Sequence, residues 1–400
     1  KRGMMKHWNM ILIILTFELV IFGTFLTRSG VLSSVHAFAQ SAIGPVFFAF
    51  MGLTFIVSLS LLLKRWNDLK ANNQMNSLLS REALFLLNNL LFMGILVVCF
   101  WGVIFPLISE IFTGQKVTVG PPFYERATAP LFAGLLLLMG VAPLAAWRYS
   151  SAKTLGRAIW KPFIASLVVV AIALFSGIRN WAALLGFWLS AFVAAVTLYE
   201  FWRGAMARRR KSGESFPVAL WRLAGRNRRR YGGYIIHLGV VLMAIGIIGI
   251  EVFQTETQGT ISRGEQISLG DYTVTFNSLA VFDTADGRNV ARAVMSVDRN
   301  GNFVGELYPR RDYYYESQQP MTIPGVRSTW EDDFYILLVD WQPISSAGAT
   351  FKIYHNPLVN WLWIGGFVFI IGTLVAAWPD KDPEKHKVSA RSASYATVKA

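Results

Sequence analysis

Two histidines stand where an imidazole has chemistry to do. In GTFLTRSGVLSSVHAFA, residues 23–39, an apolar run from Met10 to Leu26 stops at Thr27, Arg28, Ser29 and Gly30. His36 therefore falls just outside the hydrocarbon, ahead of the second apolar run that follows Gly44 and Pro45. An imidazole there is wet enough to titrate and accessible to a ligand, and it is equally able to serve as a solvated loop residue or a cap. The second, His237, sits in YGGYIIHLGVVLMAIGIIGI, roughly one and a half turns inside the end of a membrane span. Gly233 lies four residues before it, and Gly239 and Gly246 also lack side chains, so one face near the ring has room for a flat macrocycle or a close helix. At that depth an imidazole must hydrogen-bond, carry a proton or bind a metal. Glu18, midway along the first apolar run, is a third candidate. An ionisable group in a span marks a functional site, or else is protonated or paired with a polar side chain of a neighbouring helix.

The elements that hold these residues are set by composition. In 400 residues, 54% are hydrophobic and only 16% charged, which describes a polytopic membrane protein. Apolar runs predict eight transmembrane helices near 9–27, 44–63, 84–108, 130–147, 162–178, 181–201, 232–250 and 357–378. With the amino terminus inside, the connections KRWNDLK, WRYSSAKTLGRAIWK and 202–230 are cytoplasmic and, counted with the amino-terminal stub and the carboxy-terminal tail, the inside segments hold 26 of the 38 Lys and Arg. The positive-inside rule thus accounts for the net charge of +14, and RRRK at 208–211 and RNRRR at 226–230 need no nucleic acid to explain them. Cys99 is the single cysteine and lies within the third span, which excludes a disulfide framework, a CxxC redox pair and a CxxCH haem-attachment site in the chain itself. The opening on Lys1, beside an apolar run with no cleavage site, reads as an internal position of something longer or as one part of a divided protein.

Between the spans, Ser80 reads as a helix N-cap with Glu82 in the first turn, and Asn88 and Asn89 enter the membrane as a polar pair expected to hydrogen-bond between helices. TGQKVTVGPPFYERAT reads as an outside loop stiffened by Pro121 and Pro122, with Phe123 and Tyr124 at the interface. From Val252 the composition turns soluble. The stretches YTVTFNSLAVF, VARAVMSV, NFVGELY and FYILLVDW alternate as strands, with hairpin turns at DGRN and RNGN. The resulting fold is mainly α: a helical membrane bundle over 1–251, a periplasmic β-rich domain over 252–355, a last transmembrane helix over 356–378 and a disordered cytoplasmic tail over 379–400. RRDYYYESQQP in the β-rich part reads as an ordinary strand edge, and His355 as an interface residue.

GTFLTRSGVLSSVHAFA, SRE followed by NN, VGPPFY, GVAPL, the GxxxHLG helix and NPLVNWLWIGG together run from end to end of the chain. In these it resembles the carboxy-terminal part of the CcmF family, the membrane subunit of the cytochrome c haem lyase. The resemblance implies cytochrome c maturation in the cell inner membrane, with the β-rich domain in the periplasm. Family members hold a resident b-type haem among the helices, receive a second haem from the chaperone CcmE, and join it by thioether bonds to the CxxCH of an apocytochrome c. Carried over, His237 is an axial ligand of the resident haem and His36 an axial ligand of the delivered haem; neither residue is a catalytic acid or base. Arg28, eight residues before His36, is placed to pair with a haem propionate. The implied partners are CcmE, CcmH- and CcmI-type apocytochrome-handling subunits and the apocytochrome, with quinol as an electron source and no nucleic acid. The tryptophan-rich WWD segment and the partner histidine to each ligand do not occur in this sequence, so the lyase is expected to be incomplete without the part that carries them. Two other classes compete: an assembly scaffold of a divided lyase, and a membrane transporter, which would carry inverted repeats that are not seen.

Overall fold

In hydrocarbon every peptide N–H and C=O must be bonded inside its own segment, so the apolar runs become helices. The computed structural model describes residues 5–30, 43–70, 77–146, 149–341 and 348–379. His36 and the tail over 380–400 lie outside the described residues. Eight described helices are long and apolar enough to cross a membrane: α1 (Lys6–Arg28), α2 (Ile43–Lys64), α3 (Arg81–Thr113), α4 (Pro121–Val141), α5 (Ala152–Phe175), α6 (Trp181–Ser212), α8 (Arg228–Phe253) and α9 (Asn360–Ala377). A shorter helix, α7 (Phe216–Arg226), lies between α6 and α8.

Local chemistry sets the ends. The Ser80 hydroxyl accepts from Ala83 N at 3.2 Å and starts α3, and Asn180 Oδ1 accepts from Ala182 N and Ala183 N to start α6. Gly114 and Gly213 close those two helices with φ of 67° and 69°, the left-handed conformation that a residue without Cβ adopts cheaply. Three expectations are corrected. Pro121 and Pro122 do not stiffen a loop; they are the first residues of α4 after Gly120, because proline needs no N–H donor in a first helical turn. The last span begins at Asn360 rather than 357, because the residues before it are still paired in a strand. Helix α7 goes unseen in a search for apolar runs because it is amphipathic and carries Arg222 and Arg226.

The chain divides at Gly156 into two units. In the first, Glu18 on α1 is buried, and one of its carboxyl oxygens accepts from the Thr54 hydroxyl of α2 at 3.4 Å. That is the pairing with a neighbouring helix that its depth demands. Asn88 and Asn89 are half-buried on α3 with no hydrogen-bond partner among the described residues, so the expected bond between helices is not made here. Arg81 anchors the start of α3 by donating to the Pro143 carbonyl at 2.7 Å.

In the second unit α8 and α9 pack along stripes of glycine. A Cβ built on Gly232, Gly239 or Gly246 would lie 2.6 Å from the backbone of Ala376, Phe369 or Leu362, and Gly365 and Gly372 return the contact from α9. Only glycine lets two backbones approach so closely, and the approach replaces hydrophobic driving force, which is missing between helices in lipid.

Among the described residues ten strands lie between α8 and α9: β1 (Thr255–Ser262), β2 (Gln266–Leu269), β3 (Tyr272–Thr284), β4 (Arg288–Arg299), β5 (Asn302–Leu307), β6 (Arg310–Tyr314), β7 (Gln319–Ile323), β8 (Gly325–Ser328), β9 (Asp332–Trp341) and β10 (Gly348–Pro357). One sheet runs β1-β10-β9-β8. The other runs β2-β3-β4-β6-β7, with β5 also on β4. Alternate residues of each strand face inward, and Val274, Phe276 and Met295 of one sheet meet Phe334, Ile336, Phe351 and Ile353 of the other in a fully buried core. The β4–β5 turn has positive φ at Asn300 and Gly301, the geometry that matches strand twist in a two-residue hairpin. RRDYY forms β6, flanked by β4 and β7, and so is not the edge that its charge suggests; β7 lies at the end of that sheet.

Candidate functional site

Helix geometry places Gly233 and His237 one above the other on one face of α8. The space beside Gly233 is open, with no atom within 4 Å of where a Cβ would stand, whereas Gly239 and Gly246 are filled by α9. The alternatives left by the sequence are thus divided between glycines: two admit a close helix and one leaves the face below the imidazole uncovered. His237 itself is half-buried. Its Nδ1 is buried without a hydrogen-bond partner among the described residues, and Tyr234 stands edge-on to the ring with centroids 6.3 Å apart. An unpartnered imidazole nitrogen is a donor that haem iron takes, and the uncovered position at Gly233 puts no atom in the way on that face of α8, so the residues present are compatible with that group.

Toward the start of α8 the site becomes polar. Glu200 on α6 is 2% exposed, although it is a carboxylate inside a membrane helix. It accepts from Arg230 Nη2 at 2.6 Å and from the Tyr234 hydroxyl at 3.2 Å, and it pairs with Arg203 Nη2 at 2.7 Å. Arg230 Nε donates to the Tyr234 oxygen at 3.2 Å, so Tyr234 links this cluster to the His237 ring. Buried charge on this scale survives only when paired. Along the chain 226–230 reads as a loop patch and the cluster is not visible; the signal for it is an acidic residue at the end of a span, in LYEFWR, 30 positions before Arg230.

Arg28 is exposed in the last turn of α1. His36 lies outside the described residues, so the structure does not bring these two together, and His237 belongs to the other unit.

His355 is more than an interface residue. On β10 its Nε2 meets Asp332 Oδ2 at 2.9 Å, and the same oxygen accepts from the Tyr272 hydroxyl at 2.9 Å. Asp332 Oδ1 accepts from Thr329 at 2.7 Å, and Arg299 stands 3.9 Å away. Burial pushes the Asp332 carboxyl up, but the bonds from Thr329, Tyr272 and His355, with Arg299, more than reverse this and hold it below the usual carboxylate value. Burial and the bond to Asp332 push the Tyr272 phenol up to about 12. Asn360, the first residue of α9, donates to Thr329 O at 2.6 Å and to Asp333 at 2.8 Å, so this network ties the sandwich to the last helix.

Residues 252–357 match the family model described as the CcmF C-terminal beta-sandwich. The chain is 31% identical over 401 residues to the cytochrome c-type biogenesis protein CcmF of Pseudomonas aeruginosa, covering 98% of this chain and 58% of that one. It is 28% identical over 390 residues to the protein of that name from Escherichia coli, covering 97% and 57%. A solved structure of a protein named Cytochrome c Heme Lyase CcmF superposes with a TM-score of 0.74 at 26% identity, over 95% of this chain and 56% of that one. The chain therefore spans somewhat more than half the length of the relatives it matches.

Proposed function

Because the chain belongs to the CcmF family and carries its carboxy-terminal β-sandwich, we propose that it is a haem-binding membrane part of a cytochrome c haem lyase. It receives haem from the chaperone CcmE and helps to join it through thioether bonds to the CxxCH of an apocytochrome c, alongside CcmH- and CcmI-type subunits. His237 holds a resident b-type haem. His36 is an axial ligand of the delivered haem, and Arg28 takes one of that haem's propionates. The second ligand to each iron belongs to parts of the family pattern outside this sequence. The observation that carries the reading is the imidazole of His237, orphaned at Nδ1 and one turn from the open space at Gly233.

A resident haem held by His237 would supply one-electron reduction with quinol as the source, the chemistry that keeps iron reduced for thioether formation at vinyl groups. The chain's own part is positional: α9 fixes α8 through the glycine stripes, and α8 presents the His237 imidazole from within the span. The test is a visible spectrum of the protein purified with whatever completes it in the membrane. A low-spin b-type spectrum is expected; a purified complex with no haem would leave an assembly scaffold or a transporter.

The Lys and Arg distribution supports an orientation with the β-sandwich in the periplasm of the inner membrane. A reporter fused after Arg210 is expected to be cytoplasmic and one at Gly301 periplasmic. Finding Gly301 inside would put His36 on the wrong side for a periplasmic carrier.

A further inference from the structure

The Glu200 cluster holds more cation than its carboxylate needs. Glu200 is one negative charge with 1% of its side chain exposed, and two guanidiniums meet it, those of Arg203 and Arg230, each more than half exposed at 55% and 53%. Each guanidinium has five donors and commits only some of them to Glu200 and Tyr234, so N–H groups remain for a further anion. Arg230 lies seven residues before His237 on α8, about 10 Å along the helix, and its guanidinium is drawn back to Tyr234, one turn below the imidazole. The imidazole and the guanidinium are thus offset along α8, as a ligand held by its iron at one and by its carboxylates at the other requires. The open strip at Gly233 lies between the two levels.

We propose that Arg203 and Arg230 form the anion end of the resident haem pocket and bind the haem's propionates, with Glu200 as the positioning residue that aims both guanidiniums. The inference rests on the reading of His237 as a ligand of that haem. Tyr234 completes the arrangement, because it touches the imidazole with its ring and Glu200 with its hydroxyl, so that iron site and carboxylate site are set by one side chain. Without such an anchor a buried acid in a membrane helix would serve only as a clamp between α6 and α8.

The experiment compares ferric haem with haem dimethyl ester, whose propionates carry no charge. Each is titrated into the haem-depleted, full-length protein in detergent, together with whatever completes it in the membrane. Charge-assisted hydrogen bonds to two carboxylates predict that the native protein binds haem about tenfold to a hundredfold more tightly than the diester. In Arg203→Gln/Arg230→Gln this preference is expected to collapse to within about twofold, and in Arg230→Lys to be partly kept. The preference is a ratio within one preparation, so loss of folded protein does not imitate it. If the native protein shows no preference, or the double variant keeps it, the arginines serve the helix pair or an anionic lipid headgroup and the proposal is overturned. If His237→Ala binds haem as well as the native protein does, the ligand reading itself has failed. If His237→Ala loses haem while the ester preference survives the double variant, only the assignment of the arginines falls.

Discussion

His237→Ala is expected to lose most of the resident haem, whereas His36→Ala is expected to keep it and to lose capture of the delivered one. The first side chain is half-buried on α8 with a nitrogen unpartnered among the described residues, so on the proposed reading its removal would take a ligand from the embedded haem, and no other described histidine lies on α8 to replace it. Its ring neighbour, Tyr234, is already committed to Glu200. The second follows, in the sequence, an apolar run that ends at a Thr-Arg-Ser-Gly break, where the proposed carrier would reach it. Exogenous imidazole enters a wet surface far more readily than a packed bundle, so it should restore cytochrome c output in His36→Ala and much less in His237→Ala. Arg28→Gln should behave as a weaker His36→Ala, with the resident haem intact and capture reduced several-fold, in line with the loss of one charge-assisted bond. The measurements are haem content and cytochrome c output for each variant, with and without imidazole. Identical failure of both histidine variants with full resident haem would remove the two-site reading.

Asp332→Ala is expected to cost the β-sandwich about 3–5 kcal/mol, the scale for removing one partner from a buried charged network. The side chain is 2% exposed, and its loss strands Tyr272, Thr329 and His355 while leaving Arg299 less well paired. Hydrogen exchange of the β3, β9 and β10 amides in the full chain would show the change locally. The same groups set a pH window. Asp332 is depressed in the folded state, so its contribution is present above the unfolded value of about 4 and is lost as pH falls through the folded value. Tyr272 is raised to about 12, so its contribution is present below the unfolded value of about 10 and is lost as pH rises toward 12. Protection of these strands should therefore be flat from about pH 5 to 9 and fall on both sides. An Asp332→Ala chain with unchanged exchange would show that Asn360 and the core hold this junction without the carboxylate.

Much of the architecture is legible along the chain because hydrocarbon and water sort residues locally. Eight apolar runs become eight long helices since a backbone in lipid has no alternative partner, and alternation from Tyr272 to Trp341 becomes strands since one face must be buried. The depth of His237 follows from the same hydropathy. What a glycine or a charge faces does not. Gly233 and Gly239 both sit near His237, yet one opens on empty space and the other meets Phe369, a contact made by a helix more than a hundred residues away in the chain. Glu200 and Arg230 are 30 positions apart, and Asp332 gathers Tyr272 from 60 positions before it and His355 from 23 after. Periodicity assigns such residues to a face of their own helix or strand; only packing decides which distant element that face meets. The partners of buried acidic groups are therefore settled by tertiary structure, because a carboxyl such as that of Glu200 or Asp332 is tolerated out of water only where the fold brings it donors.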